Sequence, residues 1–197
     1  MRPYANRTTA GRALVDELTR LDLHDPVVLA LPRGGVPVGR AIADELHAPL
    51  DVLLVRKVGA PGHPELGIGA VGEEGVTVVD HDRIDALGID PDVVTRIADE
   101  ERAEVVRRAE RYRGGRSLTS LTGRDAIVVD DGIATGGTAV AAVEVVRHHD
   151  PTRVIVAVPG DAGYTLGPLV GRLAADLAGD VAGDIDIAPF SLSRFAA

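Results

Sequence analysis

Two adjacent carboxylates, Asp130 and Asp131, end the apolar run Ala126-Ile-Val-Val129 and are followed by Ala134-Thr135-Gly136-Gly137-Thr138, just ahead of a helical pattern from Ala139 to Arg147. These residue types, in this order, suit a phosphorylated sugar. Backbone N–H groups of a glycine-rich turn and of a helix N-terminus converge on an anion, and the helix dipole favours negative charge there. Gly136 and Gly137 let the main chain come close to it, and Thr135 and Thr138 add hydroxyl donors. The carboxylate pair directly upstream can accept hydrogen bonds from the hydroxyls of an attached ribose. Earlier in the chain, Pro32-Arg33-Gly34-Gly35 closes another apolar run and offers backbone N–H groups and a guanidinium to a diphosphate. Arg56-Lys57 sets two cations at the end of a third run, where they would meet the charge of a departing anion.

The elements that must hold these residues are legible as alternating apolar runs and helical patterns. Thr9 to Leu21 places Ala10, Leu14, Leu18 and Leu21 on one helical face. Pro26 to Leu31 reads as a buried strand, Val36 to His47 as a helix and Leu50 to Val55 as the next strand. Gly59 to Gly69 is rich in Gly and Pro and reads as a long loop, a length that in a compact domain usually serves function. Its His63 and Glu65 are candidates for an acid/base pair. Ile68–Val71 and Gly75–Val79 read as short strands. Pro91 to Tyr112 forms the longest helical pattern, with Asp90 as cap, Pro91 suited to the first position and Gly114-Gly115 as stop. Its Glu and Arg residues make a solvated face with i,i+3 and i,i+4 pairs. Val154–Val158 is a further strand, Leu166–Leu177 a helix, and Asp184–Phe190 a last strand. Strands alternating with helices indicate an α/β fold, a doubly wound and mainly parallel sheet flanked by helices. Ligands of such sheets sit beyond the carboxyl ends of the strands, where all three charged segments fall.

Composition narrows the classes. A chain of 197 residues with 45% hydrophobic content suits one domain with a sizeable core. A net charge of −9 argues against nucleic acid and anionic membranes as partners. With no Cys, thiol nucleophiles and Cys-ligated metals are excluded. His24, His47, His81, His148 and His149 show no metal-ligand spacing, and Asp80-His81-Asp82 reads as a polar turn. No apolar run reaches membrane-spanning length and no secretory h-region is present, so a cytoplasmic location is expected.

The stretch from Ala126 to Thr138 resembles the 5-phosphoribosyl-1-pyrophosphate (PRPP) signature of the type I phosphoribosyltransferases; only Gly132, where an aliphatic residue is usual, departs from it. Lys57 to Leu66 resembles an uncharacterised predicted subgroup of that family. The resemblance covers about Val27 to Val158. It implies transfer of 5-phosphoribosyl from PRPP to an acceptor, usually a nitrogenous base, with release of pyrophosphate. It assigns the ribose hydroxyls to Asp130 and Asp131 and the 5′-phosphate to Ala134, Thr135, Gly136, Gly137 and Thr138. It assigns pyrophosphate to Arg33, Gly34, Gly35, Arg56 and Lys57, with Lys57, Asp130 and Asp131 as the catalytic set and His63 and Glu65 in a mobile loop. Mg²⁺ would arrive on PRPP, with Asp130 and Asp131 as its possible protein contacts and no dedicated protein cage. A single domain over 1–197 is expected, with a core of about 25–160, a small acceptor-selecting hood drawn from 1–12 and 160–197, and a homodimer as is common in the family. Two other readings share the site: a PRPP- or nucleotide-binding regulator without chemistry, and a phosphosugar or nucleotide hydrolase using water as acceptor.

Overall fold

The protein is described by a computed structural model over residues 4–133, 136–159 and 169–171. Its main sheet has the order β2-β1-β6-β7-β8, formed by β1 (Val27–Ala30), β2 (Leu50–Val52), β6 (Asp125–Val129), β7 (Arg153–Val158) and β8 (Leu169–Gly171). The first four are parallel and β8 joins β7 antiparallel. Helices cover both faces, as a parallel sheet requires. Val28, Ile127, Val129, Ile155 and Ala157 pack on Leu14 and Leu18 of α1 (Arg7–Thr19) and on Val38 and Ile42 of α2 (Gly35–Leu46). The alternate residues Val27, Leu29, Val128, Val154 and Val156 pack on Ala142, Val143 and Val146 of α5 (Gly137–Arg147). The period-2 alternation of strand side chains thus divides one apolar run between two cores. This is the expected α/β fold with a parallel sheet flanked by helices.

A second sheet, β3-β4-β5, is antiparallel: β3 (Val55–Ala60), β4 (His63–Gly72) and β5 (Thr77–Val79). Val58, Ala60, Ile68 and Val71 meet Val94, Ala98 and Val105 of α4 (Pro91–Arg113). On its other side Ala70 meets Ala141 and Val145 of α5. The short α3 (His81–Ala86), capped by Asp80, stands between β5 and α4.

Four expectations change. Gly59 to Gly69 is a β-hairpin turning at Pro61-Gly62, not a long loop. The single strand read over Leu50–Val55 is two strands in different sheets, changing sheet at Leu53-Leu54. Asp80-His81-Asp82, read as a polar turn before the next helix, is itself the cap and first turn of helix His81–Ala86. Of the helix read over Leu166–Leu177, Leu169–Gly171 is strand β8; its remaining positions, and the strand read over Asp184–Phe190, lie outside the described residues.

Two buried charge clusters fasten the fold. At the amino ends of β6 and β7, Asp125 is fully buried; its carboxylate accepts from Arg153 Nε at 3.0 Å, from Arg153 Nη2 and from the His24 N–H at 2.7 Å. Between the sheets, Arg113 of α4 pairs with Glu73 and donates to the Val52 carbonyl at 3.2 Å, while Glu73 accepts from the Leu54 N–H at 3.1 Å. The point where the chain changes sheet is therefore pinned by an ion pair from α4.

Candidate active site

The site begins with strand order. From β1 the chain passes through α2 to β2 on one side, and from β6 it passes through α5 to β7 on the other. The carboxyl ends of the neighbours β1 and β6 therefore flank a topological switch point, where open α/β sheets leave a crevice. Arg33-Gly34-Gly35 leaves β1 there, and Asp130-Asp131 leaves β6 there.

The two turns touch. A Cβ on Gly34 would lie 2.1 Å from Asp131 Oδ1, and a Cβ on Gly35 would lie 2.4 Å from the Val129 carbonyl oxygen. At Gly35 only glycine lets the two backbones approach so closely, and at Gly34 the missing Cβ makes room for the Asp131 carboxylate. The Pro32–Arg33 peptide bond is cis, and the Arg33 side chain is exposed. Gly34→Ala keeps an allowed helical φ of −65° and must displace the whole Asp131 carboxylate. We expect the melting temperature to move by no more than the shift that about 1 kcal/mol gives; if the site takes PRPP, the donor the sequence resemblance implies, its affinity by calorimetry should fall about tenfold because a carboxylate is misplaced. Unchanged affinity would show that the contact between the turns does not matter for binding.

Asp130 and Asp131 differ in surroundings. Burial, with the neighbouring negative charge of Asp131 added, pushes the Asp130 carboxyl up to about 6, although its Oδ1 accepts from the Asp131 N–H at 2.8 Å. Asp131 is held by Arg7 of α1, with Nε 2.8 Å and Nη2 2.6 Å from Oδ2. Arg7 escapes sequence reading: it lies 124 residues from its partner and, in the first turn of a helix, resembles any solvated arginine.

Downstream, Gly136 takes φ +79 and is the N-cap of α5; having no side chain, it offers no cap of its own to the first N–H groups of Gly137, Thr138 and Ala139. Ala134 and Thr135 lie outside the described residues.

The adjacent cations part company. Arg56 and Lys57 lie within β3 instead of beyond a strand end, and neighbours in a strand face opposite ways. Arg56 is ion-paired with Glu101 of α4 at 2.6 Å, so it does not join Lys57 toward one anion. Lys57 Nζ lies 3.1 Å from the Glu65 carbonyl and 3.2 Å from its carboxylate across the hairpin. His63 and Glu65 are exposed near the hairpin tip, and the Glu65 carboxylate answers Lys57, not His63. Residues 7–12, expected in the hood, are the first turns of the core helix α1; of 160–197, only β8 is described.

The profile described as "Phosphoribosyl transferase domain" matches residues 6–169. The chain belongs to the phosphoribosyl transferase domain family. It is 48% identical over 159 residues to a Mycobacterium tuberculosis (strain ATCC 25618 / H37Rv) protein named "Putative phosphoribosyl transferase Rv0571c", covering 81% of this chain and 36% of that protein. The chain thus spans about a third of that relative's length. The crystal structure of TT1426 from Thermus thermophilus is also similar, with 46% identity and a TM-score of 0.75 over 80% of this chain and 74% of that one. Phosphoribosyl transferase membership accounts for the α/β frame. Among the described residues, no helix is long and apolar enough to cross a membrane.

Proposed function

We propose that this phosphoribosyl transferase domain moves 5-phosphoribosyl from PRPP to a nitrogenous base and releases pyrophosphate. One observation carries the reading: the acidic pair after β6 and the glycine turn after β1 are in direct contact at the switch point, and the next helix, α5, starts from a glycine N-cap. A phosphate at α5, a ribose over the carboxylates and a diphosphate along Arg33-Gly34-Gly35 follow the order of groups along PRPP.

In this reading Ala134 to Thr138 hold the 5′-phosphate through backbone N–H groups and hydroxyls. Asp130 and Asp131 accept hydrogen bonds from the 2′- and 3′-hydroxyls. The Gly34 and Gly35 backbone, Arg33 and Lys57 face the diphosphate. Departure of pyrophosphate leaves positive charge on the ribose ring, so catalysis consists of positioning and charge stabilisation and needs no side-chain nucleophile. The hairpin carries Lys57 and is the candidate cover that excludes water. Arg56 has no part in this reading, since Glu101 engages it.

The donor set also fits Mg²⁺. Asp130 and Asp131 present carboxylate oxygens, the hard ligands this ion takes. Mg²⁺ would neutralise the phosphates it arrives with. Asp130 and Asp131 would hold it, directly or through its waters, while they orient the ribose.

The test is product analysis: protein, PRPP, Mg²⁺ and a panel of bases, following pyrophosphate and ribose 5-phosphate. Base-dependent pyrophosphate release is expected. Ribose 5-phosphate formed equally without any base would sink transfer in favour of hydrolysis, and tight binding without turnover would favour a regulator.

A pH dependence follows from Asp130. Its folded-state value of about 6 lies above the ordinary 3.8, so the carboxylate required for hydroxyl and cation contacts is present above about pH 6 and protonated below. PRPP affinity measured from pH 8 to 5 should fall below pH 6 with a limiting slope of about tenfold per unit. Asp130→Asn should lose that component while retaining the donor's own phosphate titration. An identical profile in both proteins would refute the assignment.

A further inference from the structure

We infer that Arg7 is a positioning residue for the donor: it fixes the Asp131 carboxylate over the glycine turn in the orientation that receives the ribose. The inference rests on the reading that the acidic pair holds PRPP.

The base of Arg7 is rigid. Asn6 Oδ1 accepts from the Thr9 N–H at 2.9 Å and from its hydroxyl at 2.8 Å, which starts α1 at Arg7. One turn later Gly11 rests on α2 so closely that a Cβ would lie 2.5 Å from the Val38 carbonyl oxygen. From this base the guanidinium delivers both Nε and Nη2 to one oxygen, Asp131 Oδ2. The whole carboxylate, Oδ1 nearest, lies against the Gly34 backbone, within 2.4 Å of where a Cβ would stand. A carboxylate gripped at one oxygen and stacked on a glycine has few rotamers left. It therefore loses little further freedom when a hydroxyl binds. The guanidinium also supplies positive charge beside two adjacent carboxylates, which would otherwise repel each other and the donor's phosphates. Arg7 is itself 59% exposed, so the pair contributes little to folding stability. Its use lies in orientation. It also links α1, the first helix of the chain, to chemistry 124 residues away.

A double-mutant cycle on donor affinity tests this. Mg²⁺–PRPP dissociation constants are measured by calorimetry for the wild type, Arg7→Ala, Asp131→Asn and the double variant, with Arg7→Lys as the conservative change. Melting temperatures serve as the control for folding. We expect Arg7→Ala to weaken binding roughly fivefold, equivalent to about 1 kcal/mol. Arg7→Lys should recover part of that loss. Arg7→Ala should have less than about a twofold effect once Asp131 is Asn. A merely structural arginine would give equal losses in both backgrounds, and that result overturns the inference. Tighter binding by Arg7→Ala also overturns it, since the arginine would then be a competitor that the donor must displace. If the wild type binds no PRPP, the underlying reading fails and takes this inference with it. If the wild type binds, Asp131→Asn binds weakly and the Arg7 effects are additive, the inference alone fails.

Discussion

Replacing Asp130 and Asp131 together by Asn should lower PRPP affinity at pH 8 by about a hundredfold or more, equivalent to about 3 kcal/mol, while the protein stays folded. The loss is large because both sugar hydroxyls and a cation would meet amides in place of carboxylates. The fold survives because neither side chain packs the core, and the contact that Asp130 makes, accepting from the Asp131 N–H, can be made by an Asn oxygen. The single change Asp130→Asn carries a second expectation of opposite sign. A carboxyl raised to about 6 by burial and by the charge of Asp131 is ionised at neutral pH at a cost to the free protein. Removing that charge should raise the melting temperature of the donor-free protein at pH 7.5. Calorimetry on the double variant and thermal scans on the single variant test both statements. Retained affinity would remove the donor from this site, and a lower melting temperature would show that the Asp130 charge is not a burden.

The largest effect on stability is expected at the opposite end of β6. Asp125→Ala should cost about 3–5 kcal/mol, because it leaves the Arg153 guanidinium and the His24 N–H without their buried acceptor. Burial alone would raise the Asp125 carboxyl, but the hydrogen bonds from Arg153 and from the His24 backbone outweigh it and hold the group below 3.8. For a depressed carboxyl, the stabilisation is present above the unfolded value and is lost as pH falls through the folded one. Urea unfolding at pH 7 should therefore show a large drop in midpoint with little change in slope. The Asp125→Ala/Arg153→Ala pair should cost less than the sum of its members. Strict additivity would mean that the two side chains do not depend on each other.

Why parts of this molecule are readable from its sequence, and parts are not, comes down to what makes each residue necessary. The run from Ala126 to Val129 is readable because a parallel strand covered on both faces must be apolar at every position. The step from strand to helix around Asp130 to Gly137 is readable because its chemistry is local. The hairpin misleads because its glycines serve another purpose. Gly59 and Gly69 lie within strands, where a Cβ would come 2.6 Å from the Pro64 carbonyl oxygen and 2.4 Å from that of Val78. Crowding by neighbouring backbone demands glycine there, and only Gly62, at φ +74, is the turn itself. The sheet change at Leu53-Leu54 is hidden because both residues are buried, so the apolar run continues across it. Its cause lies far along the chain, in Glu73 and Arg113. Arg56 and Lys57 look equivalent side by side, and only their facing elements, α4 with Glu101 and the hairpin with Glu65, tell them apart. Arg7 is invisible for the same reason: its significance belongs to Asp131.

β6 carries an aspartate at its first residue and another just past its last, tuned in opposite directions. For these two groups the sign is plain. Asp125 favours the folded state until pH falls below about 3.8, whereas Asp130 begins to burden it as pH rises from 3.8 toward 6. Near pH 5, then, the anchoring end of the strand is still charged while the ligand end is largely discharged. If the acidic pair holds PRPP as proposed, acidification to pH 5 should weaken that binding about tenfold without unfolding the protein. One strand thereby carries, at its two ends, a charge that supports the fold and a charge that burdens it.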